Sequence, residues 1–318
     1  MMGIMPGKTV AFFDPNANER GASVAIHQYA DYNERILGNR SVIALPGSAE
    51  GPSVSMYRNR FPDTVAYGSV DDLGALSRQV DVFYLLTYGH VPPFDLAALR
   101  CRSAVHCVFT AHNPHGDVYA AVSEWVADTY AITEVPVVHH IVDLPDPGGD
   151  LRLELGIPAE AVVFGRYGGV TQFNIMAVMR TIAHAVASRE DLYFVFINTA
   201  PFMEHPRVIY LPKTVDPAYK ARFINTCDAM IHARAEGETF GLAIGEFSQR
   251  RKPIVSWFWS TDRFHLHVLG EHGIYYRTPP ELFATFMSLK KGETRPDCYS
   301  EKFSPQRDMD QFDRVFLA

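Results

Sequence analysis

Short, uninterrupted runs of apolar residues alternate with longer stretches of mixed polarity along the chain. Runs of this kind are typical of strands buried on both faces of a parallel sheet. The predicted strands lie at residues 9–13, 41–45, 64–67, 81–86, 104–110, 119–123, 162–169, 192–197, 208–211, 229–232 and 253–257. The stretches between them have the length of helices, and this alternation predicts an α/β fold with parallel sheets.

The predicted helices fill most of the intervals between these runs. They lie at residues 22–37, 70–78, 124–130, 151–155, 174–187, 218–226, 281–290 and 308–316, with another that starts at 242. Residues 143–149 (DLPDPGG) interrupt both periodicities with two prolines and two glycines. Since 318 residues suffice for two domains, this linker predicts α/β domains over 1–145 and 150–300, followed by a terminal helix within 301–318.

Composition and charge restrict the kind of partner. The formal net charge is −7 without a long basic run, which argues against nucleic acid, because phosphate contacts need clustered Lys and Arg. No apolar run approaches the roughly 20 residues of a membrane span, so at most peripheral membrane contact is expected. The first eight residues are too short for a signal peptide. Four cysteines without C-x-x-C spacing indicate reduced thiols and a cytoplasmic protein.

The candidate chemistry concentrates in residues 233–257, ARAEGETFGLAIGEFSQRRKPIVSW. Glu238 and Glu246 stand eight positions apart, on either side of a turn that contains Gly241. Gly241 can adopt backbone angles that a side chain resists, which lets the chain pass directly from a strand end into a helix at Leu242. The amides at such a helix start carry partial positive charge that suits a phosphate. Glu246 lies about one turn, roughly 6 Å, into that helix, so one ligand can meet both carboxylates.

This stretch resembles the retaining glycosyltransferases of the two-domain GT-B type, the group 1 or family 4-like enzymes. The resemblance rests on E-x7-E after a strand, F-G-L within it, and K-P-I-V-S after the helix. It implies two Rossmann-like domains facing across a cleft and a terminal helix that crosses back to the first domain. It also implies that Glu238 lies near the transferred sugar and that Glu246 binds the ribose hydroxyls. By itself, the spacing also fits one solvated and one capping glutamate.

Two further candidate positions lie in the first domain. His112 follows a strand end in the loop AHNPHG, where α/β folds bind ligands. The resemblance implies a place next to the sugar for His112, with His115 as the alternative. Gly21 precedes the first long helix and permits close backbone approach. The resemblance implies that the loop of Gly21 faces the acceptor and the donor phosphate; a simple turn glycine is the alternative.

The donor diphosphate is predicted to contact the segment from Thr239 through Phe240 and Gly241 to Leu242. The strand at 162–169 ends in further candidate donor contacts: Arg166, Gly168 and Gly169. These glycines permit a diphosphate to approach the backbone, and Arg166 can supply a bidentate charge. A surface ion pair is the alternative for Arg166.

The same segment departs from the resembled family. That family carries G-R and then a lysine aimed at the diphosphate, whereas this chain reads G-G-V-T-Q-F-N, with Thr171 and Gln172 as possible neutral donors. The resemblance also places the loop at 211–214 against the base. Lys213 is therefore a candidate contact to the donor, with a solvated lysine as the alternative.

Together these features predict a retaining glycosyltransferase of hexosyltransferase type. Its donor is expected to be a UDP- or GDP-sugar and its acceptor a glycan, lipid or small molecule. No metal or other cofactor is predicted, because the pair His265 and His267 lacks a third ligand at zinc-like spacing. Asp308 and Asp310 begin a helix, where acids complement the helix dipole. A hydrolysing nucleotide-sugar epimerase and a non-catalytic nucleotide-sugar-binding protein are the alternative functions.

Overall fold

A computed structural model describes residues 7–18 and 21–318 of the chain. The chain divides into two compact units. The first comprises the described residues up to Ile141 together with Phe303–Ala318, and the second comprises Val142–Lys302. The predicted linker at 143–149 has no regular secondary structure and lies at the start of the second unit.

The first unit contains a six-stranded, fully parallel sheet. Its strands are β1 Thr9–Phe13, β2 Arg40–Pro46, β3 Val65–Tyr67, β4 Val82–Thr87, β5 Arg102–Cys107 and β6 Val118–Ala121. Their order is β3-β2-β1-β4-β5-β6. The central strands β1 and β4 are buried over nearly their whole length, as continuous apolar runs predict for parallel sheets. The strand order reverses between β1 and β4, a position at which such sheets bind ligands.

Four helices accompany these strands in the described part of the chain, and two of them begin at side-chain caps. The four helices are α1 Gly21–Arg35, α2 Pro52–Arg60, α3 Val70–Leu76 and α4 Glu124–Tyr130. Ser69 and Asp72 form a reciprocal capping box at the start of α3, and the Ser123 hydroxyl accepts the amide proton of Val126 at the start of α4.

The second unit repeats the same design. Its strands are β7 Val162–Tyr167, β8 Leu192–Ile197, β9 Val208–Leu211, β10 Ala229–His232, β11 Gly237–Glu238, β12 Ile254–Trp257, β13 Asp262–Arg263 and β14 Ile274–Tyr276. The main sheet is parallel with the order β14-β12-β10-β7-β8-β9, while β11 and β13 form a separate parallel pair. The order of the main sheet reverses between β7 and β10.

The helices of the second unit are α5 Met176–Ser188, α6 Pro217–Thr226, α7 Leu242–Gln249, α8 Phe264–Leu269 and α9 Pro279–Ser288. An aromatic cluster joins the sheet to α9, with the ring centroid of Phe286 4.9 Å from that of Phe164 and 5.1 Å from that of Phe194. This core fixes the sheet whose carboxyl edge carries the candidate site.

The C-terminal segment packs into the core of the first unit. Helix α10, Pro305–Phe312, continues into a π-helical turn at Asp313–Leu317. The Phe312 ring lies 5.1 Å from that of Tyr84 and 5.2 Å from that of Tyr29, and the Phe316 ring lies 5.4 Å from that of Tyr84. These buried aromatic contacts tie the end of the chain to β4 and α1.

The predicted α/β fold with parallel sheets is confirmed, and the differences are local. The predicted helix at 151–155 is a hydrogen-bonded turn that ends at Gly156 (φ +64°), and β5 ends at Cys107 instead of residue 110. Helices α2 and α8 and strand β14 were not predicted, because α2 has few apolar positions and the other two segments are too short to show a period. Within residues 7–18 and 21–318, no helix has the length and apolar character needed to cross a membrane.

Candidate active site

The candidate site lies at the carboxyl edge of the second sheet, where β7 and β10 are neighbours. These strands pair in parallel, with Met230 opposite Gly165, so Arg166 at the end of β7 and His232 at the end of β10 reach the same edge. Open parallel sheets bind ligands at this reversal of strand order. The predicted segment from Glu238 to Glu246 follows directly after β10.

Gly241 makes the sharp turn from β11 into α7. Its backbone has φ 88° and ψ 52°, the left-handed conformation that glycine adopts most readily. A Cβ at this position would lie 3.4 Å from the Cβ atoms of Glu238 and His265, so the turn is also closely packed. Gly241 therefore allows Glu238 to stand immediately beside the start of α7.

The start of α7 offers backbone amides to a ligand. Gly241 is its N-cap and makes no side-chain capping bond, and Leu242 and Ala243 are partly exposed. The first amides of a helix have no intrahelical acceptor. The helix start therefore presents the amides of Leu242, Ala243 and Ile244, so Leu242 is the one residue of the predicted contact segment from Thr239 to Leu242 that lies within α7.

Glu238 is held as a carboxylate by two neighbours. Its Oε1 lies 3.3 Å from His232 Nε2, its Oε2 lies 3.1 Å from Arg234 Nη1, and its side chain is 24% exposed. Burial alone would raise the pKa of Glu238, but the hydrogen bond from His232 and the charge of Arg234 bring it down to about 2. Glu238 is therefore ionised at neutral pH and can stabilise positive charge, but it is a poor proton donor.

Glu246 is buried, 1% exposed, beside Lys220 of α6. Its Oε1 lies 3.4 Å from Lys220 Nζ, while its Oε2 has no hydrogen-bond partner in the described part of the chain. The Lys220 ammonium lies 5.7 Å from the ring centroid of Tyr167, whose buried hydroxyl also lacks a partner among these residues. Two buried polar atoms without partners are unusual in a native core and mark a place where a ligand can supply hydrogen bonds. A ligand reaches them only if neighbouring side chains move.

Arg166 is not on the surface, so its alternative interpretation as a surface ion pair is wrong. It is 5% exposed, and its guanidinium donates to Thr199 Oγ1 at 2.6 Å, to the Gly169 carbonyl at 3.0 Å and to the Asn198 carbonyl at 3.4 Å. All three acceptors are neutral, and burial lowers the pKa of Arg166 to about 10. Arg166 thus places a positive charge beside Glu238 while it holds the loops after β7 and β8.

The glycine loop after β7 is satisfied internally. The Gly169 amide donates to Gln172 Oε1 at 2.9 Å, and Asn198 Nδ2 donates to the Gly168 carbonyl at 2.8 Å. The amide of Gly169 is therefore already used, and Gln172 acts here as an acceptor, not as the donor that the sequence predicted. Lys213 is exposed in the loop after β9.

The candidate residues of the first unit lie at the start of α1 and in the loop after β5. Gly21 begins α1, and the two residues before it, Glu19 and Arg20, lie outside the described residues. His112 is exposed in the loop after β5, with its ring edge-on to Tyr130 at 5.7 Å. His115 lies 2.5 Å from the Asn113 carbonyl through Nδ1, so its ring is engaged by its own loop.

Several site residues were missed by the sequence interpretation: Tyr167, Lys220, His232, Arg234, Ser256 and His265. His232 is the last residue of β10, a strand that the sequence did predict. Its place at a strand end, where α/β folds bind ligands, could have marked it as a site residue. The sequence singled out His265 only as part of an incomplete zinc-ligand pair, whereas in the structure its Nε2 lies 3.1 Å from Ser256 Oγ. No cluster of three or more His, Cys, Asp or Glu side chains that suits a metal ion occurs in residues 7–18 and 21–318.

The chain is similar in fold to solved structures, although no protein-family profile and no curated protein sequence matches it. Anabaena Alr3699/HepE in complex with UDP and glucose aligns with a TM-score of 0.73 at 15% identity, over 98% of this chain and 100% of that one. A glycosyltransferase from Rickettsia africae aligns with a TM-score of 0.65 at 13% identity, over 98% and 95% of the two chains. A candidate UDP-N-acetylglucosamine 2-epimerase from Listeria monocytogenes gives 0.60 at 12% identity, over 98% and 97%.

These likenesses extend over nearly the whole of each chain. At 12–15% identity they establish the fold and no more. The fold is that of GT-B glycosyltransferase structures, with two Rossmann-like units that are each built on a six-stranded parallel sheet.

Proposed function

We propose that this protein is a glycosyltransferase that takes its sugar from a nucleoside diphosphate sugar. The proposal rests on the arrangement of Glu238, the start of α7 and Glu246 in the second unit. An ionised Glu238, a helix start without a side-chain cap and a buried Glu246, one oxygen of which has no partner among the described residues, follow one another within nine residues. The likeness in fold to a protein bound to UDP and glucose supports this choice of ligand.

Each part of the arrangement has a chemical role in the proposal. Glu246 Oε2 accepts a hydrogen bond from a ribose hydroxyl. The hydroxyl of Tyr167, whose ring centroid lies 5.7 Å from the Lys220 ammonium, is a second polar group that the ligand can contact. The amides of Leu242 and Ala243 bind the diphosphate, on which negative charge accumulates as the glycosidic bond breaks. Glu238 stabilises the positive charge that develops on the sugar.

The overall step is a substitution at the anomeric carbon. The bond from that carbon to the diphosphate oxygen breaks, a bond to an acceptor oxygen forms, and the acceptor proton leaves with the nucleoside diphosphate. We propose retention of configuration, which the resemblance of the segment from Glu238 to Glu246 implies. We also propose that no metal is required, because the helix start and Arg166 supply positive charge from the protein itself. His112 and Gly21 of the first unit, and Lys213 of the second, stay predictions from the resemblance.

Calorimetric titration with UDP and GDP tests the donor site. We expect wild-type protein to bind one of them and Glu246→Gln to weaken that binding about tenfold, because an acceptor oxygen for the ribose is replaced by an NH₂ group. Glu238→Gln should keep the affinity and lose transfer. Glu271→Gln, an exposed glutamate of the same unit, is the matched control. Absence of binding by wild-type protein contradicts the proposal, and unchanged affinity in Glu246→Gln removes the ribose role.

A hydrolysing epimerase is the second candidate, because a candidate epimerase from Listeria shares the fold over 98% of this chain. Such an enzyme releases UDP and an isomerised sugar without any acceptor. NMR analysis of the sugar after incubation with UDP-N-acetylglucosamine alone separates the two functions. An isomerised sugar favours the epimerase, whereas binding without turnover of any donor indicates a non-catalytic binding protein.

A further inference from the structure

A chain of hydrogen-bonded side chains leads from Glu238 into the core of the second unit. His232 Nε2 lies 3.3 Å from Glu238 Oε1, and its Nδ1 lies 3.0 Å from Ser256 Oγ. Ser256 Oγ lies 3.1 Å from His265 Nε2. His232, Ser256 and His265 are 4%, 0% and 0% exposed. Because water cannot replace these bonds in the core, each group depends on the next one for its orientation.

The set of Glu238, His232 and Ser256 has the composition of an acyl-transfer triad, but the burial of Ser256 excludes that chemistry. A catalytic serine must reach its substrate. Ser256 is completely buried, and its hydroxyl has an imidazole nitrogen on each side. The only member of the set with an exposed side chain is Glu238. His232, Ser256 and His265, the buried groups of the hydrogen-bond chain, therefore support Glu238 from the core side.

The hydrogen bonds from His265 to Glu238 all have the same donor-to-acceptor direction. An ionised Glu238 only accepts hydrogen bonds, so His232 donates to it through Nε2–H. In the neutral form of His232, Nδ1 accepts the Ser256 hydroxyl proton, and Ser256 Oγ accepts the Nε2–H of His265. Burial lowers the pKa of His265 well below its usual range, so this ring carries a single proton at neutral pH. Each donor along the chain then has one acceptor, which fixes both tautomers.

We propose that His232 is a positioning residue for Glu238, and that Ser256 and His265 hold His232 in the tautomer that donates to the carboxylate. The inference rests on the proposed function, in which Glu238 faces the positive charge that develops on the sugar. A carboxylate that is already ionised and oriented stabilises this charge without reorganisation during the reaction. A carboxylate that rotates or takes a proton loses part of that effect.

His232 has a different role from the other charged and titratable groups around Glu238. Five charged or titratable groups interact electrostatically with the Glu238 carboxylate: Arg166, His232, Arg234, His265 and Tyr299. Burial is the largest influence on the pKa of Glu238 and raises it; among the opposing influences the hydrogen bond from His232 comes first, ahead of the charge of Arg234. Loss of His232 therefore has a measurable effect even though Arg234 stays in place.

The test is a ¹³C NMR pH titration of the Glu238 carboxyl in protein without ligand, assigned by comparison with Glu238→Gln. His232→Asn keeps a polar atom near Ser256 but does not reach Glu238, and Ser256→Ala interrupts the chain without touching the carboxylate. We expect the Glu238 pKa to rise by about one pH unit in His232→Asn and by a smaller amount in Ser256→Ala. We also expect kcat for a UDP-sugar to fall about 10- to 100-fold, the range known for supporting partners in other sites, at unchanged UDP affinity.

Ser248→Ala is the matched control. Ser248 is a buried serine of the same unit whose hydroxyl accepts from the Cys298 amide and lies 3.3 Å from Asp297. Its loss should lower stability without moving the Glu238 titration. An unchanged Glu238 pKa in both His232→Asn and Ser256→Ala overturns the positioning role. Because the titration needs no substrate, it decides this role even if wild-type protein fails to bind UDP, which would overturn the proposed function alone.

Discussion

At the scale of single residues, Glu246 and Lys220 form a buried ion pair in the second unit. They are 1% and 6% exposed, with 3.4 Å between Oε1 and Nζ. Burial raises the pKa of Glu246 and lowers the pKa of Lys220, so burial disfavours the charged form of each group, whereas the opposite charge 3.4 Å away favours it. Each charge therefore depends on the other, and a Glu246 that lost its ammonium partner would take up a proton.

Lys220→Met tests this dependence, since methionine fills a similar apolar space without charge. We expect UDP affinity to fall about tenfold at pH 7, because a protonated Glu246 has less acceptor capacity for the ribose. The pKa of Glu246 is raised, so its ionised form grows with pH and part of the lost affinity should return between pH 7 and pH 9. Calorimetry at several pH values measures this. Lys290→Met, an exposed lysine of the same unit, is the control, and wild-type affinity at pH 7 in Lys220→Met would contradict the account.

The sequence revealed the part of the site that is local in the chain. Glu238, Gly241 and Glu246 lie within nine residues, so one turn and one helix determine their arrangement. Lys220 is 26 positions from Glu246, and Ser256 is 24 positions from His232. The packing of α6 and the pairing of β10 with β12 bring these residues together, and no pattern within a single segment encodes that proximity.

At the scale of elements, α10 contains a buried carboxyl group that the sequence interpretation misjudged. Asp308 stands in the first turn of α10, where an acid complements the helix dipole, but it is 0% exposed. Neither of its carboxyl oxygens has a hydrogen-bond partner in the described part of the chain. Burial raises the pKa of Asp308 to about 9, so the folded protein keeps this carboxyl protonated at neutral pH.

This group makes stability depend on pH in a predictable direction. The folded state holds the Asp308 proton up to about pH 9, whereas the unfolded chain loses it near pH 4. The stability that this proton contributes is complete below about pH 4 and is lost as the pH rises towards 9. Asp308→Asn cannot ionise, so we expect it to gain about 4 kcal/mol over wild type between pH 5 and pH 8.

Thermal unfolding of both proteins across this pH range measures the difference. Asp310→Asn changes an exposed residue two positions along the same helix and should show no such trend. A constant difference between Asp308→Asn and wild type from pH 5 to pH 8 would show that Asp308 is not protonated in the folded protein.

At the scale of the whole molecule, the two units share one strand order. In each sheet the order reverses once, between β1 and β4 in the first and between β7 and β10 in the second. Parallel strands require apolar runs but few particular side chains, so the chain is similar in fold to a solved structure at 15% identity while no family profile matches the sequence. The apolar runs made the fold predictable, whereas the side chains behind Glu238 required the three-dimensional structure.

The crystal structure of this protein with UDP tests the central claim most directly. The account predicts diphosphate oxygens within about 3.2 Å of the Leu242 and Ala243 amides, and a ribose hydroxyl bonded to Glu246 Oε2. A UDP molecule bound away from the start of α7, with Glu246 Oε2 still without a partner, would contradict it.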